Sequence, residues 1–319
     1  MSLRVTTARL RALLLNLVAF LVVAGTATGC GPGDDRPRIV VTTNILGDIT
    51  REIAGDEAEV SVLMQPNADP HSFGLSAVQA AELENADLVV HNGLGLEENV
   101  TRHVEAAREA GVATFAAGEA ADPLTFHADE EGGPGDGAGA PDPHFWTDPD
   151  RVRKVAGLIA DRIIEHVDGV DEKAVRDNAE RYGGELAALS TWMEKSFAAI
   201  PEGRRALVTN HHVFGYLAER FGFRVIGAVI PSGTTLASPS SSDLRSLTRA
   251  MEKADVRTVF ADSSQPTRLA DVLRRELGGD VNVVPLYSES LTEKGEGAGT
   301  YLEMMRANTS AMTEGLTGD

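Results

Sequence analysis

Three histidine-bearing stretches carry the residue types of a metal site. The tripeptide Asp-Pro-His occurs twice, at 69–71 and at 142–144, and two adjacent histidines stand at His211 and His212. In each tripeptide the proline fixes its own φ and pushes the preceding aspartate into extended geometry, which predicts that His71 and His144 lie on stiff loops. Imidazoles presented on separate stiff loops predict a metal site that the fold assembles.

Strands that alternate with helices are expected to position these loops. The pattern of β-branched runs predicts strands at 38–43, 59–64, 87–91 and 112–116, then at 205–209, 225–229, 256–261 and 281–286. Helical spacing of apolar residues predicts helices at 45–54, 76–85, 100–110, 148–166, 213–220, 242–252, 266–277 and 300–313. This alternation favours two α/β lobes with mostly parallel sheets, in which ligands collect at the carboxyl ends of strands.

One segment is longer than the others and is our candidate for the connection between the lobes. Residues 171–199 keep helical spacing, although Gly183 and Gly184 weaken the middle. A helix of that length spans roughly 40 Å at 1.5 Å per residue. The predicted domains are therefore an N-terminal lobe at 38–168, a linker helix at 169–202 and a C-terminal lobe at 203–319.

The amino terminus has the features of an export signal. Arg4, Arg9 and Arg11 precede an apolar run at 12–24 that is too short for an ordinary membrane-spanning helix. Small residues then lead into Cys30, an arrangement that resembles the lipobox of bacterial lipoproteins, although that motif prefers leucine where Ala27 stands. We expect residues 1–29 to be removed, Cys30 to be acylated and residues 30–37 to form a tether; the alternative is a soluble exported protein.

Composition and charge narrow the classes of partner. The chain has 319 residues, 42% of them hydrophobic, which is enough for two ordinary domains. The only cysteine is Cys30, so no intrachain disulfide is expected. The formal charge is −19, and because the first 29 residues hold three arginines and no acid, their removal takes it to −22. Such a surface argues against a nucleic-acid partner.

Six motifs in chain order carry a family resemblance that covers nearly all of the chain after Cys30. They are Val-Val-Thr-Thr-Asn-Ile-Leu-Gly-Asp at 40–48, Asn-Ala-Asp-Pro-His-Ser-Phe at 67–73, Asn-Gly-Leu-Gly-Leu-Glu at 92–97, Asp-Pro-His-Phe-Trp-Thr-Asp-Pro at 142–149, Thr-Asn-His-His-Val-Phe-Gly-Tyr at 209–216 and Tyr-Leu-Glu-Met-Met at 301–305. The set resembles the cluster A-I receptors of bacterial zinc and manganese ABC importers. The resemblance implies two α/β lobes joined by one long rigid helix, with a metal between the lobes.

The resemblance also implies a ligand set. The family's first three ligands fall on His71, His144 and His211, and the third is histidine in zinc receptors but often glutamate in manganese receptors. The fourth, usually aspartate, falls on Glu289, whose longer arm makes it a departure from the family. Asp262, at the end of a predicted strand, is the alternative for that position.

The chemistry of this set favours zinc. Three imidazole nitrogens and one carboxylate suit a tetrahedral, borderline-soft ion, whereas manganese prefers more oxygen donors; copper and nickel are also compatible. We predict that His212 is not a ligand, because on a helix its side chain would point about 100° away from that of His211. His91 is interpreted as a turn-fixing residue.

The stretch 127–141 is acidic and rich in glycine, which predicts a disordered loop. Zinc receptors of the family often carry a histidine-rich loop here, whereas this one holds a single histidine, His127. A plain linker and a weak metal-collecting segment both remain open.

We therefore predict an extracytoplasmic Zn²⁺ receptor, on the outer face of the cytoplasmic membrane or in the periplasm, that delivers zinc to an ABC permease. The chain has no phosphate-binding loop, so the ATPase must be a separate subunit. A metallochaperone is a further candidate partner. The alternatives are a manganese receptor and, less favoured, a zinc hydrolase, for which no His-Glu-x-x-His pair is present. Some members of the family have been described as adhesins, but no residue here encodes such a surface.

Overall fold

The computed structural model describes residues 36–126, 139–264, 274–275 and 281–318. The predicted export signal, Cys30, residues 127–138 and most of the predicted helix at 266–277 lie outside the described residues. Among the helices that are described, none combines the length and the apolar character needed to cross a membrane.

The first half of the chain forms a four-stranded sheet with helices packed on it. Its elements are β1 (Arg38–Val41), α1 (Asn44–Ala54), β2 (Glu59–Val62), α2 (Ala77–Glu84), β3 (Leu88–His91), α3 (Thr101–Glu109), β4 (Ala113–Ala116) and α4 (Pro149–His166). The strand order is β2-β1-β3-β4 and every pair is parallel. The two central strands, β1 and β3, are mostly buried on both faces, which is why they consist largely of aliphatic residues, whereas the edge strands β2 and β4 are only partly buried.

The second half repeats this arrangement after the long helix α5 (Glu172–Ala198). Its elements are β5 (Ala206–Thr209), α6 (Gly215–Phe221), β6 (Arg224–Ala228), α7 (Ser241–Ala254), β7 (Thr258–Asp262), β8 (Asn282–Leu286) and α8 (Tyr301–Thr317). The strand order is β6-β5-β7-β8, again parallel throughout. The predicted fold class, two lobes with parallel sheets flanked by helices and joined by one long helix, is confirmed.

The long helix runs without a break through Gly183 and Gly184. Asp171 caps its first turn by accepting hydrogen bonds from two backbone N–H groups. One face of α5 is buried along its whole length, and this packing offsets the low helical propensity of the two glycines. One large apolar cluster links this face to residues of both lobes, including Trp146, Tyr216 and Tyr301. The domain boundaries near 168 and 202 stay a prediction.

Most element boundaries differ from expectation by one or two residues, and two helix ends have an identifiable cause. Helix α6 begins at Gly215 rather than at 213, because the backbone N–H of His212 donates to Ser232 and holds the preceding residues in a turn. His211 and His212 therefore lie before the helix, and the helical argument used above to separate their side chains is wrong. Helix α8 continues to Thr317, four residues beyond the prediction, since Leu316 in its last turn is buried.

Candidate metal centre

The fold brings the four predicted ligands, His71, His144, His211 and Glu289, into one buried group. One ligand atom from each lies within 4.8 Å of the ligand atoms of the other three. The carboxylate of Glu289 stands at the centre: its Oε1 is 3.1 Å from Nε2 of His211 and 3.5 Å from Nε2 of His144, and its Oε2 is 3.4 Å from Nε2 of His71. Each side chain is at most 1% exposed.

The members come from both lobes and lie outside the helices and strands. His71 lies beyond β2, and His144 immediately precedes a 3-10 turn at Phe145–Thr147. His211 follows β5 by two residues, and Glu289 follows β8 by three. His211 and Glu289 thus lie at the carboxyl ends of parallel strands, where ligands collect in α/β folds, and the loops that carry His71 and His144 meet them there.

The two Asp-Pro-His tripeptides share one local structure. The backbone N–H of His71 donates to Oδ1 of Asp69 at 2.9 Å, and that of His144 donates to Oδ1 of Asp142 at 3.0 Å. Each is a turn in which the aspartate side chain bonds the backbone two residues later. Together with the proline, this bond fixes the loop that carries each imidazole.

Only the second tripeptide adds a bond to the imidazole ring. Nδ1 of His144 lies 2.7 Å from Oδ1 of Asp142. Since a carboxylate can only accept, the proton sits on Nδ1, and Nε2 presents its lone pair to the group. Asp69 instead accepts a hydrogen bond from the hydroxyl of Thr235 in the other lobe at 2.6 Å.

Replacing Asp142 by Asn is expected to lower metal affinity by about 10- to 100-fold, because the partner that orients the His144 ring loses its charge. The matched control is Asp69→Asn in the sister tripeptide. That change removes no contact to the His71 ring, so a smaller effect is expected. Isothermal or competition titration with Zn²⁺ measures both variants, and equal losses would contradict the asymmetry.

Several polar atoms of the group are buried without a hydrogen bond. Within the described residues, no hydrogen-bond partner is found for Nδ1 of His71, either ring nitrogen of His211, or either carboxylate oxygen of Glu289. Of these nitrogens, Nε2 of His211 lies 3.1 Å from Oε1 of Glu289, but at an angle that makes no hydrogen bond. Each such buried group costs about 1–3 kcal/mol. Nε2 of His211 and the two oxygens of Glu289 belong to the converging group and fit a cation, which would compensate the cost of these three atoms.

The protonation of the group follows from burial and charge. Burial opposes a charged His71, but the negative charge of the Glu289 carboxylate, 3.4 Å from its Nε2, outweighs burial, so the pKa of His71 is raised above 6.5. Burial lowers the pKa of His144 despite the nearby Asp142. Burial alone would raise the pKa of Glu289, yet the surrounding histidines hold it well below its ordinary value. The carboxylate therefore stays ionised, and His71 is the first of these three groups to take a proton as pH falls.

Metal affinity is expected to fall as pH decreases, with the decline beginning above pH 6.5. The reason is that a proton on His71 competes with the metal for Nε2. Titration at a series of pH values measures this decline. An affinity that stays constant from about pH 7.5 to pH 5.5 would contradict histidine ligation.

Asp262 and His212 stay outside the group. Asp262 ends β7 and is buried, but its carboxylate accepts hydrogen bonds from the backbone of Ser264 and from the hydroxyls of Ser264 and Ser288. His212 is half-buried and is not among the four converging residues. His91 ends β3, where burial lowers its pKa.

The structure adds residues that the sequence did not single out. Tyr216, at the start of α6, donates from its hydroxyl to the backbone oxygen of Asp142 at 2.5 Å and accepts from the N–H of Leu124 at 3.1 Å. It thereby ties the His144 loop to the opposite lobe. Trp146 donates from its indole N–H to the backbone oxygen of Ser288 at 2.9 Å.

Comparison with known proteins identifies the family. The family model described as ZnuA, zinc-uptake complex component A periplasmic, matches residues 39–315. The chain belongs to this family. It is therefore a metal-binding receptor of an ABC importer, outside the cytoplasm, and not an enzyme. The hydrolase alternative is thereby removed, and a permease and an ATPase are its partners.

Similar proteins carry different metals in their names. The chain is 28% identical over 305 residues to the manganese-binding lipoprotein MntA of Halalkalibacterium halodurans, covering 93% of this chain and 96% of that one. It is 26% identical to the iron ABC transporter substrate-binding lipoprotein MtsA of Streptococcus pyogenes, covering 94% and 96%. The periplasmic zinc-binding protein TroA from Treponema pallidum superposes with a TM-score of 0.78 and 25% identity, covering 88% and 99%.

Proposed function

We propose that the cargo is Zn²⁺, held by Nε2 of His71, His144 and His211 and by the carboxylate of Glu289. The observation that carries the proposal is the convergence of these four buried side chains, three of which supply imidazole nitrogen. Zinc is commonly bound in proteins by a small number of nitrogen, sulfur and carboxylate ligands. His211 also stands at the position where the family resemblance associates histidine with zinc and glutamate with manganese.

Manganese is the second candidate, and one observation favours it. Both oxygens of Glu289 face the histidines, so the carboxylate could bind through two atoms and raise the coordination number to five. Hard ions such as Mn²⁺ prefer more oxygen ligands. The manganese-binding name of a 28% identical relative points the same way.

Competition between the two ions tests the proposal. The metal-free protein is titrated with Zn²⁺ and with Mn²⁺, each against a chelator of known affinity, and the amount of bound metal is measured by elemental analysis. One zinc per chain, bound more tightly than manganese, is the expected result. Manganese bound as tightly as zinc or more tightly would assign the cargo to manganese.

We further propose that Cys30 carries a lipid and holds the receptor at the outer face of the membrane. The small residues before this cysteine and the lipoprotein names of the relatives support the assignment. Mass spectrometry of the N-terminal peptide tests the lipid attachment, and an unmodified Cys30 or cleavage elsewhere would count against it.

We also propose that a metallochaperone delivers zinc to the receptor. Direct loading of the receptor by free Zn²⁺ at full rate would make that partner unnecessary.

A further inference from the structure

The segment Tyr287–Leu291, which carries Glu289, belongs to neither a strand nor a helix. It begins directly after β8. The side chain of Glu289 has no hydrogen-bond partner among the described residues, so no such bond holds the carboxylate in place. Its position must be set by the backbone on either side, and that backbone is held by side chains from distant parts of the chain.

Asn44 holds the far end of the segment. Its Oδ1 accepts from the backbone N–H of Leu291 at 3.0 Å, and its Nδ2 donates to the hydroxyl of Ser290 at 2.8 Å. Nδ2 also lies 3.2 Å from the backbone oxygen of Gln65, in the stretch that leads to His71. Asn44 is the first residue of α1 and only 7% exposed, so these bonds are shielded from water.

Asn308 holds the near end in the same manner. Its Oδ1 accepts from the N–H of Tyr287 and its Nδ2 donates to the carbonyl oxygen of the same residue, both at 2.9 Å. Asn308 lies in α8 and is 3% exposed. A side-chain amide with one acceptor and two donors can satisfy both backbone groups of a residue, as a neighbouring strand would.

The residue between these ends is also fixed. The backbone oxygen of Ser288 accepts the indole N–H of Trp146, from the loop that carries His144, and its hydroxyl donates to Asp262. Three of the four neighbours of Glu289 are therefore held through their backbone, and Ser290 through its hydroxyl. One asparagine comes from the first half of the chain and the other from the second.

We propose that Asn44 and Asn308 are positioning residues that clamp the segment Tyr287–Leu291 and thereby hold the Glu289 carboxylate against the three histidines. The proposal rests on the proposed ligand role of Glu289. The clamp also compensates for the departure of this chain from the usual aspartate, because the longer glutamate side chain has more rotatable bonds and needs a more firmly placed backbone.

The test is a double-mutant cycle on zinc affinity in the full chain. Asn44→Ala and Asn308→Ala are each expected to lower the affinity for Zn²⁺ by about 10- to 100-fold, the range for residues that orient a ligand. Each is then combined with Glu289→Ala, which leaves three histidines to bind zinc more weakly. If the asparagines act through Glu289, they should lower affinity no further, within about twofold, in that background.

The matched control is Asn178→Ala. Asn178 donates to the backbone oxygen of Ile53, between α5 and α1, and touches none of the ligand-bearing segments. The affinity of the Asn178→Ala variant for Zn²⁺ should equal that of the wild type. Equal losses for Asn44→Ala with and without Glu289 would overturn the clamp and indicate a general effect on the lobe interface.

The outcomes separate the clamp from the ligand assignment. If Glu289→Ala leaves zinc affinity unchanged, the proposed ligand set fails and the clamp fails with it. If Glu289→Ala weakens binding but the asparagine effects persist in its background, only the clamp is overturned. If Asn44→Ala fails to fold, as shown by the lack of a cooperative unfolding transition, Asn308→Ala provides the same test from the other lobe.

Discussion

Replacing His211 by Ala is expected to lower zinc affinity about a hundredfold or more. The free energy of binding for structural zinc sites is about 10–16 kcal/mol, so one of four ligands contributes about 3 kcal/mol, or two orders of magnitude. His211 is fully buried, and its Nε2 makes the shortest of the three contacts to the Glu289 carboxylate, at 3.1 Å. The measurement is competition titration with a chelator, together with the zinc content of the purified protein.

The adjacent histidine provides the control. His212→Ala changes the same residue type one position along the same turn, outside the converging group. The zinc affinity of His212→Ala is expected to stay close to that of the wild type, because His212 supplies none of the four converging ligand atoms. Zinc retained by His211→Ala, or lost equally in both variants, would show that the third ligand is misassigned.

Saturation with zinc is expected to raise the Tm of the metal-free protein by about 8–16 °C. A ligand present at 1,000 times its Kd stabilises the folded state by about 4.1 kcal/mol, and each kcal/mol shifts the Tm of a domain of 150–250 residues by about 2–4 °C. The physical cause is that the metal satisfies Nε2 of His211 and the carboxylate oxygens of Glu289, which are buried and have no hydrogen bond in the described structure. Differential scanning calorimetry with zinc and with excess chelator measures the shift.

The variants His211→Ala and His212→Ala test whether the rise in Tm comes from zinc bound at the proposed site. The shift should be much smaller in His211→Ala and unchanged in His212→Ala. A similar rise in both variants would mean that zinc stabilises the protein from another position. A rise below about 2 °C in the wild type at saturating zinc would mean that the four groups do not gain a shared ligand.

The fold could be predicted because its rules are local. The run Ile39-Val40-Val41 is buried on both faces, and a continuous run of β-branched residues of this kind predicts a buried parallel strand without any knowledge of the rest of the fold. Helix starts are equally local: Asp148 accepts from the N–H of Asp150 and Pro149 occupies the first turn, a combination that the sequence alone contains. The turn at His211 and His212 was missed, because it depends on a backbone bond to Ser232 from a later loop.

The candidate ligands could also be anticipated, but what holds them could not. The Asp-Pro-His repeats drew attention to His71 and His144, and the family resemblance pointed to the other two. The two tripeptides are identical, yet Asp142 bonds a histidine ring and Asp69 bonds Thr235, because the opposite lobe supplies that hydroxyl. The contact of Asn44 with Leu291 joins residues 247 positions apart, a distance that no spacing pattern reveals.

The measurement that tests the ligand assignment most directly is an anomalous difference map at the zinc edge, from a crystal of the zinc-loaded protein. The expected result is a single peak about 2.0–2.2 Å from Nε2 of each of the three histidines and from at least one oxygen of Glu289. A peak elsewhere, or a peak here with one of the four side chains turned away from it, would contradict the proposed site.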